Sequence, residues 1–170
     1  MQIRPLTPAD APAYQALRLL ALRESPAAFS ASHDEEAGRD IAEVAARLVA
    51  ADGSVRMLGA FEGDVLAGFV GVLHPQRAKL RHAMELAGLY VAPAHRRRGV
   101  GRALLHAAIA QARATRGVRQ LKLGVNASNA AALALYRAAG FETYGVEPAA
   151  LAIDGLFHDE ALCMLRLRDS

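Results

Sequence analysis

Apolar residues along this chain switch between two spacings, and the switches divide it into elements. Tyr14, Leu17 and Ala21 share one face of a helix that opens at Thr7-Pro8-Ala9-Asp10 and stops at Ser25-Pro26. Thr7 suits the cap, Pro8 the first helical position and Asp10 the positive end of the helix. Ile41, Val44, Ala45 and Leu48 repeat the helical spacing ahead of Asp52-Gly53. A third stripe, Leu104, Leu105, Ala108, Ile109 and Ala112, lies within residues 101–115, with Arg102, His106 and Arg113 opposite. A fourth helix spans residues 129–139 and ends at Gly140, followed by apolar Phe141, the usual pairing at a left-handed cap. Strands are predicted over residues 3–6, 55–61, 65–73, 84–91 and 121–125, and around 141–144 and 156–167. Glu62-Gly63-Asp64 joins the second strand to the third, and the polar stretch 29–39 reads as a loop or lid. Helices set among hairpin-forming strands predict a mixed sheet, not a doubly wound parallel one.

Composition narrows the class. With 170 residues and 53% hydrophobic positions, the expectation is one compact domain over residues 1–170. No apolar run approaches the roughly 18 residues of a membrane span. Met1-Gln2-Ile3-Arg4-Pro5 lacks the apolar stretch of a signal peptide, so a cytoplasmic protein without membrane contact is expected. Cys163 is the only cysteine, which excludes an internal disulfide, and the histidines show no metal-ligand spacing. The net charge of +3 is mildly basic, and its one dense run, Arg96-Arg97-Arg98, leads straight into Gly99-Val100-Gly101. That placement favours a local anion site over a nucleic-acid surface.

The chemistry concentrates in residues 85–102, where a strand, a short loop and a helix start follow one another. A helix N-terminus presents unpaired N–H groups and about half a positive charge, and glycines let a ligand approach its backbone. Together these suit a pyrophosphate. The loop is not a P-loop, which needs GxxxxGK followed by Ser or Thr. Nor is it a dinucleotide fingerprint, because Leu104 stands where the third glycine belongs.

Arg96-Arg97-Arg98-Gly99-Val100-Gly101 resembles the R/Q-x-x-G-x-G/A signature of the GNAT superfamily of N-acetyltransferases. Leu89-Tyr90-Val91-Ala92-Pro93 before it and Arg102-Ala103-Leu104-Leu105 after it are similar too. A second signature follows in order: Asn129, Ala132, Tyr136 and Gly140-Phe141, led in by Val125-Asn126. The resemblance implies a mostly antiparallel sheet of about seven strands with helices on both sides and a parallel pair that splays at the cofactor site. It implies acetyl transfer from acetyl-coenzyme A (acetyl-CoA) to a primary amine, directly within a ternary complex and without a metal. Residues 96–101, with the amides of Arg102 and Ala103, would hold the pyrophosphate. The stretch Leu89-Tyr90-Val91 would pair with the pantetheine arm, and Asn126 and Asn129 would contact the cofactor. Tyr136 would protonate the departing thiolate. A homodimer is common in the family. The leading acceptor is the amine of a small molecule or amino acid. A protein N-terminus or lysine, and a non-catalytic sensor domain that binds coenzyme A, are the alternatives.

Several of these residues also have a plainer reading. Tyr136 shares a helix face with Ala132, Leu135 and Ala139, as a core tyrosine would. Strand alternation places Glu85 on the face of Leu89 and Val91, where a carboxylate serves as general base; a surface glutamate fits equally. His74, His82 and His158 compete for that role. Asn126 and Asn129 also fit turn and cap positions. Glu35, Glu36, Glu147, Asp159 and Glu160 read as solvated positions, while the resemblance implies that their segments flank the acceptor groove as an acidic wall for a cationic amine.

Overall fold

The computed structural model describes residues 1–50 and 52–167; Ala51 and residues 168–170 of the expected domain lie outside the described residues. Its strands are β1 (Gln2–Pro5), β2 (Val55–Glu62), β3 (Val65–Leu73), β4 (Ala83–Val91), β5 (Gln120–Asn126), β6 (Glu142–Ile153) and β7 (Leu156–Arg166). They form one sheet in the order β1-β2-β3-β4-β5-β7-β6, antiparallel at every step except β4 against β5. The helices are α1 (Ala11–Glu24), α2 (His33–Ala37), α3 (Ile41–Leu48), α4 (Val100–Ala114) and α5 (Ala130–Ala138).

The sheet is covered on both faces. On one, the α4 stripe of Leu104, Leu105, Ala108, Ile109 and Ala112 packs on Val70, Val72, Met84 and Leu86, with Tyr136 and Phe141 in the same core. On the other, Leu17, Ala21 and Leu22 of α1 and Val44 and Leu48 of α3 meet Leu66, Phe69 and Tyr90. A fully buried Leu or Phe contributes roughly 1.5–3 kcal/mol, so these two layers carry most of the stability. Central β3 is buried on both faces from Leu66 through Val72, which explains its unbroken apolar run.

Three local features depart from the expected pattern. The loop expected over residues 29–39 contains α2. Ser32 starts it, accepting from the Glu35 amide at 3.3 Å, while the Glu35 carboxylate accepts from the Ser32 amide at 2.6 Å. β6 continues to Ile153, well past the expected end near residue 144. A register shift between Glu147 and Leu151 accommodates Pro148, and the Ala149 amide donates to Asp159 at 2.8 Å. The opening of the first helix is a 3-10 turn, Pro8–Asp10, whose Asp10 carboxylate accepts from the Thr7 amide at 2.7 Å.

Candidate functional site

The parallel strands part at mid-length. Their pairing covers only Ala83–Glu85 against Gln120–Lys122, although β4 runs on to Val91 and β5 to Asn126. β4 also carries a bulge, because its register against β3 shifts between Phe69 and Gly71. Gly88 sits there with φ +65°, a left-handed conformation that other residues adopt only with strain. The extra residue reverses the alternation. Met84 and Leu86 face the α4 core and so do Leu89 and Val91, whereas Tyr90 faces α1. Glu85 is therefore not on the face of Leu89 and Val91, as strict alternation required. It opens into a cavity on the α1 side, beside Tyr14, Met57, Phe69 and Ala87.

Where β4 and β5 separate, three cavities adjoin. A groove of about 660 Å³ is lined by Leu89, Tyr90, Val91, Arg96, Arg97, Gly99, Val100, Gly101, Arg102, Asn129 and Leu135. A small chamber of about 60 Å³ lies behind it, bounded by Gly88, Leu89, Asn126, Asn129 and Tyr136. The third, about 410 Å³, holds Arg18, Glu85, Glu147 and Glu160. Ala28 lines all three, and Gly88 and Gly124 line both the chamber and the third cavity. The three cavities thus adjoin one another around the gap between the strands.

The groove's floor is the start of α4. Gly99 caps it at φ +82°, and Ala103 makes the first helical bond, its amide donating to the Gly99 carbonyl at 3.0 Å. The amides of Val100, Gly101 and Arg102 are the ones left over at the helix start, so Ala103 drops out of the expected set of free donors. A Cβ on Gly101 would meet nothing closer than Val91 at 3.6 Å, so packing within the chain does not demand the missing side chain.

The three arginines diverge. Arg96 donates to the Val91 carbonyl at 3.0 Å and forms an ion pair with Glu24, whose carboxylate also accepts from the Tyr90 hydroxyl. Burial, then that carboxylate, pushes the Tyr90 hydroxyl up to about 12, and the Tyr90 ring faces α1 rather than the groove. Arg98 pairs with Glu62 at 3.0 Å. Arg97 forms no ion pair among the described residues. Asn126 is buried and accepts from Ser128, and Asn129 accepts from Ala132 as the cap of α5, so both hold the turn; Asn129 also reaches the groove.

Tyr136 is 9% exposed, packs edge-on against Phe141 with centroids 5.8 Å apart, and borders the chamber. Burial, then the neighbouring Cys163, pushes its hydroxyl up to about 12. No described residue hydrogen-bonds that hydroxyl, and it stays a protonated donor on a side chain that borders the chamber.

In the third cavity Glu160 approaches Gly124 so closely that a Cβ there would stand 2.8 Å from its Oε2. Burial first, then Glu147 and Glu85, raises the Glu160 carboxyl above its ordinary value. Of the expected acidic wall, Glu147 and Glu160 are present. Glu35 is spent on its cap, Glu36 pairs with Arg39 at 2.8 Å, and Asp159 holds Ala149. His74, His82 and His158 line none of these three cavities. Arg18 and Glu24 were not singled out in the sequence. Both lie on a helix that reads there only as core packing, and no motif marks them.

The Acetyltransferase (GNAT) family model matches residues 14–141, and the chain belongs to that family. Its fold superposes with a TM-score of 0.81 on a ribosomal-protein-alanine N-acetyltransferase from Brucella melitensis, at 29% identity over 98% of this chain and 100% of that one. It is similarly close to yncA from Salmonella typhimurium, solved with its cofactor acetyl-CoA: TM-score 0.81 and 26% identity over 100% of this chain and 95% of that one. A mycothiol acetyltransferase from Mycobacteroides abscessus is 43% identical over 54 residues, which is 32% of this chain and 18% of that protein. The chain spans about a quarter or less of the length of the curated relatives it matches.

Proposed function

We propose that this chain transfers the acetyl group of acetyl-CoA to the primary amine of a small molecule. The observation that carries the reading is the set of adjoining cavities with shared lining residues, from the start of α4, through a chamber bordered by Tyr136, to a cavity with three carboxylates. The free amides of Val100, Gly101 and Arg102, with Arg97, suit the pyrophosphate. Beyond the last pairing at Glu85 and Lys122, β4 turns its open edge to the groove, so backbone groups at Leu89 and Val91 are placed to pair with an extended arm. Asn129 lines the same groove. An N–H on this edge, near the Gly88 bulge, is suited to stabilise charge on a carbonyl oxygen. The Tyr136 hydroxyl donates a proton to the departing thiolate. Glu160, or Glu85 beside it, takes the proton of the attacking ammonium; the raised Glu160 carboxyl is the better matched of the two.

The third cavity's volume of about 410 Å³ is within the roughly 300–1,000 Å³ of small-ligand sites, which favours a small acceptor. Acetylation of a protein N-terminus is the second reading, favoured by the 29% identity to the ribosomal-protein-alanine N-acetyltransferase. Two measurements test both. Coenzyme A should raise the melting temperature, because a ligand that binds only the folded state stabilises it. Thiol release from acetyl-CoA should then respond to one class in a panel of amino acids, polyamines, aminoglycosides and peptides. Stabilisation without release by any acceptor would leave a binding domain, and no stabilisation at millimolar cofactor would remove the reading altogether.

A further inference from the structure

Among the described residues Arg18 is unpaired like Arg97, but unlike Arg97 it lines a cavity that also holds three carboxylates. Arg4, Arg39, Arg47, Arg96 and Arg98 each pair with a carboxylate. Arg18 is half-buried and forms no ion pair or hydrogen bond among the described residues, yet it lines the same cavity as Glu85, Glu147 and Glu160. Its guanidinium lies over the Phe29 ring, 4.5 Å from the centroid, and its Nη1 is 3.4 Å from where a Cβ on Gly88 would stand. The stem and the aromatic face thus hold the charged group at the mouth of the gap.

One cavity therefore carries a guanidinium and three carboxylates that do not neutralise one another. A guanidinium presents a planar fork of donors that matches carboxylate or phosphonate oxygens two at a time. Building on the acetyl-transfer reading, we infer that Arg18 is the anchor for an anionic group on the acceptor, which is a zwitterion: an amino acid or aminophosphonate. The ammonium lies toward Glu160 and Glu85 and the anion against Arg18. Because one cavity of about 410 Å³ contains both ends, only a few bonds separate amine from anion. A polyamine, which would place a second cation on Arg18, is rejected by the same geometry.

The test compares amino acids with their carboxamides and with the matching aminophosphonates, reading kcat/KM from thiol release. The wild type should prefer the acids to the amides by about 10- to 100-fold, the range for a hydrogen-bonded charged partner. In Arg18→Met, which keeps an apolar stem against Phe29, the acid-to-amide ratio should fall to about one, with the change in KM for the acids. Arg18→Lys should restore part of the ratio. Taking the ratio within each variant cancels any general loss from altered packing. Aminophosphonates preferred over acids, with the same dependence on Arg18, would assign the anion to phosphonate and keep the site. A wild-type ratio near one, or a ratio unchanged in Arg18→Met, overturns the inference while leaving acetyl transfer standing. If no acceptor is turned over, calorimetry of the acids and aminophosphonates on the protein loaded with coenzyme A still reads the site. Heat that disappears in Arg18→Met supports it; no heat, or heat independent of Arg18, overturns it.

Discussion

Tyr136→Phe separates the proposed acetyl transfer from passive binding of coenzyme A. The substitution removes one oxygen from a ring fixed against Phe141 and leaves the ring in place. At pH 8, with the hydroxyl pushed up to about 12, protonated tyrosine outnumbers tyrosinate by about 10⁴ to one, so the proton is available throughout the working range. Loss of a general acid typically costs about 10²–10⁴-fold in rate. A thiol is a moderate acid, near pH 8.5, so its thiolate leaves with less help than an amine would. The expected loss is thus at the lower end, about 10²-fold in kcat, equivalent to about 2.7 kcal/mol of transition-state stabilisation. No described residue hydrogen-bonds the hydroxyl, so stability should change by no more than about 1 kcal/mol, or about 4 °C in Tm. Stopped-flow thiol release at saturating substrates, with calorimetry of coenzyme A binding, measures both quantities. An unchanged chemical step would return Tyr136 to the core, and a fall in Tm beyond about 10 °C would show that it is structural first.

Gly101→Glu should abolish stabilisation by coenzyme A while the apo protein keeps its Tm, since a Cβ there meets nothing closer than 3.6 Å; a folded variant that still binds would mean the pyrophosphate lies elsewhere. Glu160→Gln should flatten the rise of kcat/KM with pH, because the base acts only once its raised carboxyl has ionised; if Glu85→Gln does this instead, the roles reverse. The same Glu160→Gln change should gain stability over wild type as pH climbs above the ordinary 4.5, where folding must hold an ionised, crowded carboxylate, and gain nothing in acid. Asp10 behaves oppositely: the Arg4 guanidinium, at 2.7 and 2.8 Å, holds its carboxyl well below the ordinary 3.8. Asp10→Asn should therefore cost about 1–2 kcal/mol at neutral pH, a difference that shrinks as pH falls below that value, as urea unfolding at pH 7 and pH 3 would show.

The groove proposed for the cofactor was legible as a cluster of neighbouring residues because short stretches of sequence line it. Gly99 and Gly101 at a helix start, and Asn129 capping the helix that carries Tyr136, are readable from spacing alone. The stripes of α1, α3 and α4 were legible because burial follows the helical period. The cavity proposed for the acceptor was harder, since α1 and the six strands β2 to β7 all contribute to its lining. Glu85 went to the wrong face because alternation assumes an unbroken strand, and only the pairing with β3 exposes the bulge at Gly88. The short helix α2 did have a signal in the capping pair Ser32 and Glu35, which the polar composition of that stretch outweighed. Continuation of β6 past Pro148 depends on a bulge and on Asp159 across the hairpin, and nothing local announces either.

Arg96, Arg97 and Arg98 read along the chain as one block of positive charge, and folding separates them into different tasks. Glu24 neutralises Arg96 and Glu62 neutralises Arg98, so under the proposed function attraction toward a pyrophosphate would fall to Arg97, Arg102 and the amides at the start of α4. Those amides are fixed by the helix and face no competing carboxylate, whereas a flexible arginine loses entropy whenever it is held. The pairing of Arg96 has a second consequence. Glu24 is the last residue of α1, and it grips both Arg96 in the cofactor loop and the Tyr90 hydroxyl on β4. The same helix carries Arg18 into the cavity proposed for the acceptor. One helix therefore contacts the loop before α4 and lines the third cavity, with the bulged strand β4 between them. Transfer between two bound molecules depends on their reacting atoms meeting within a few tenths of an ångström. In the proposed reaction, α1 is the element that links the two sites across the gap between the strands.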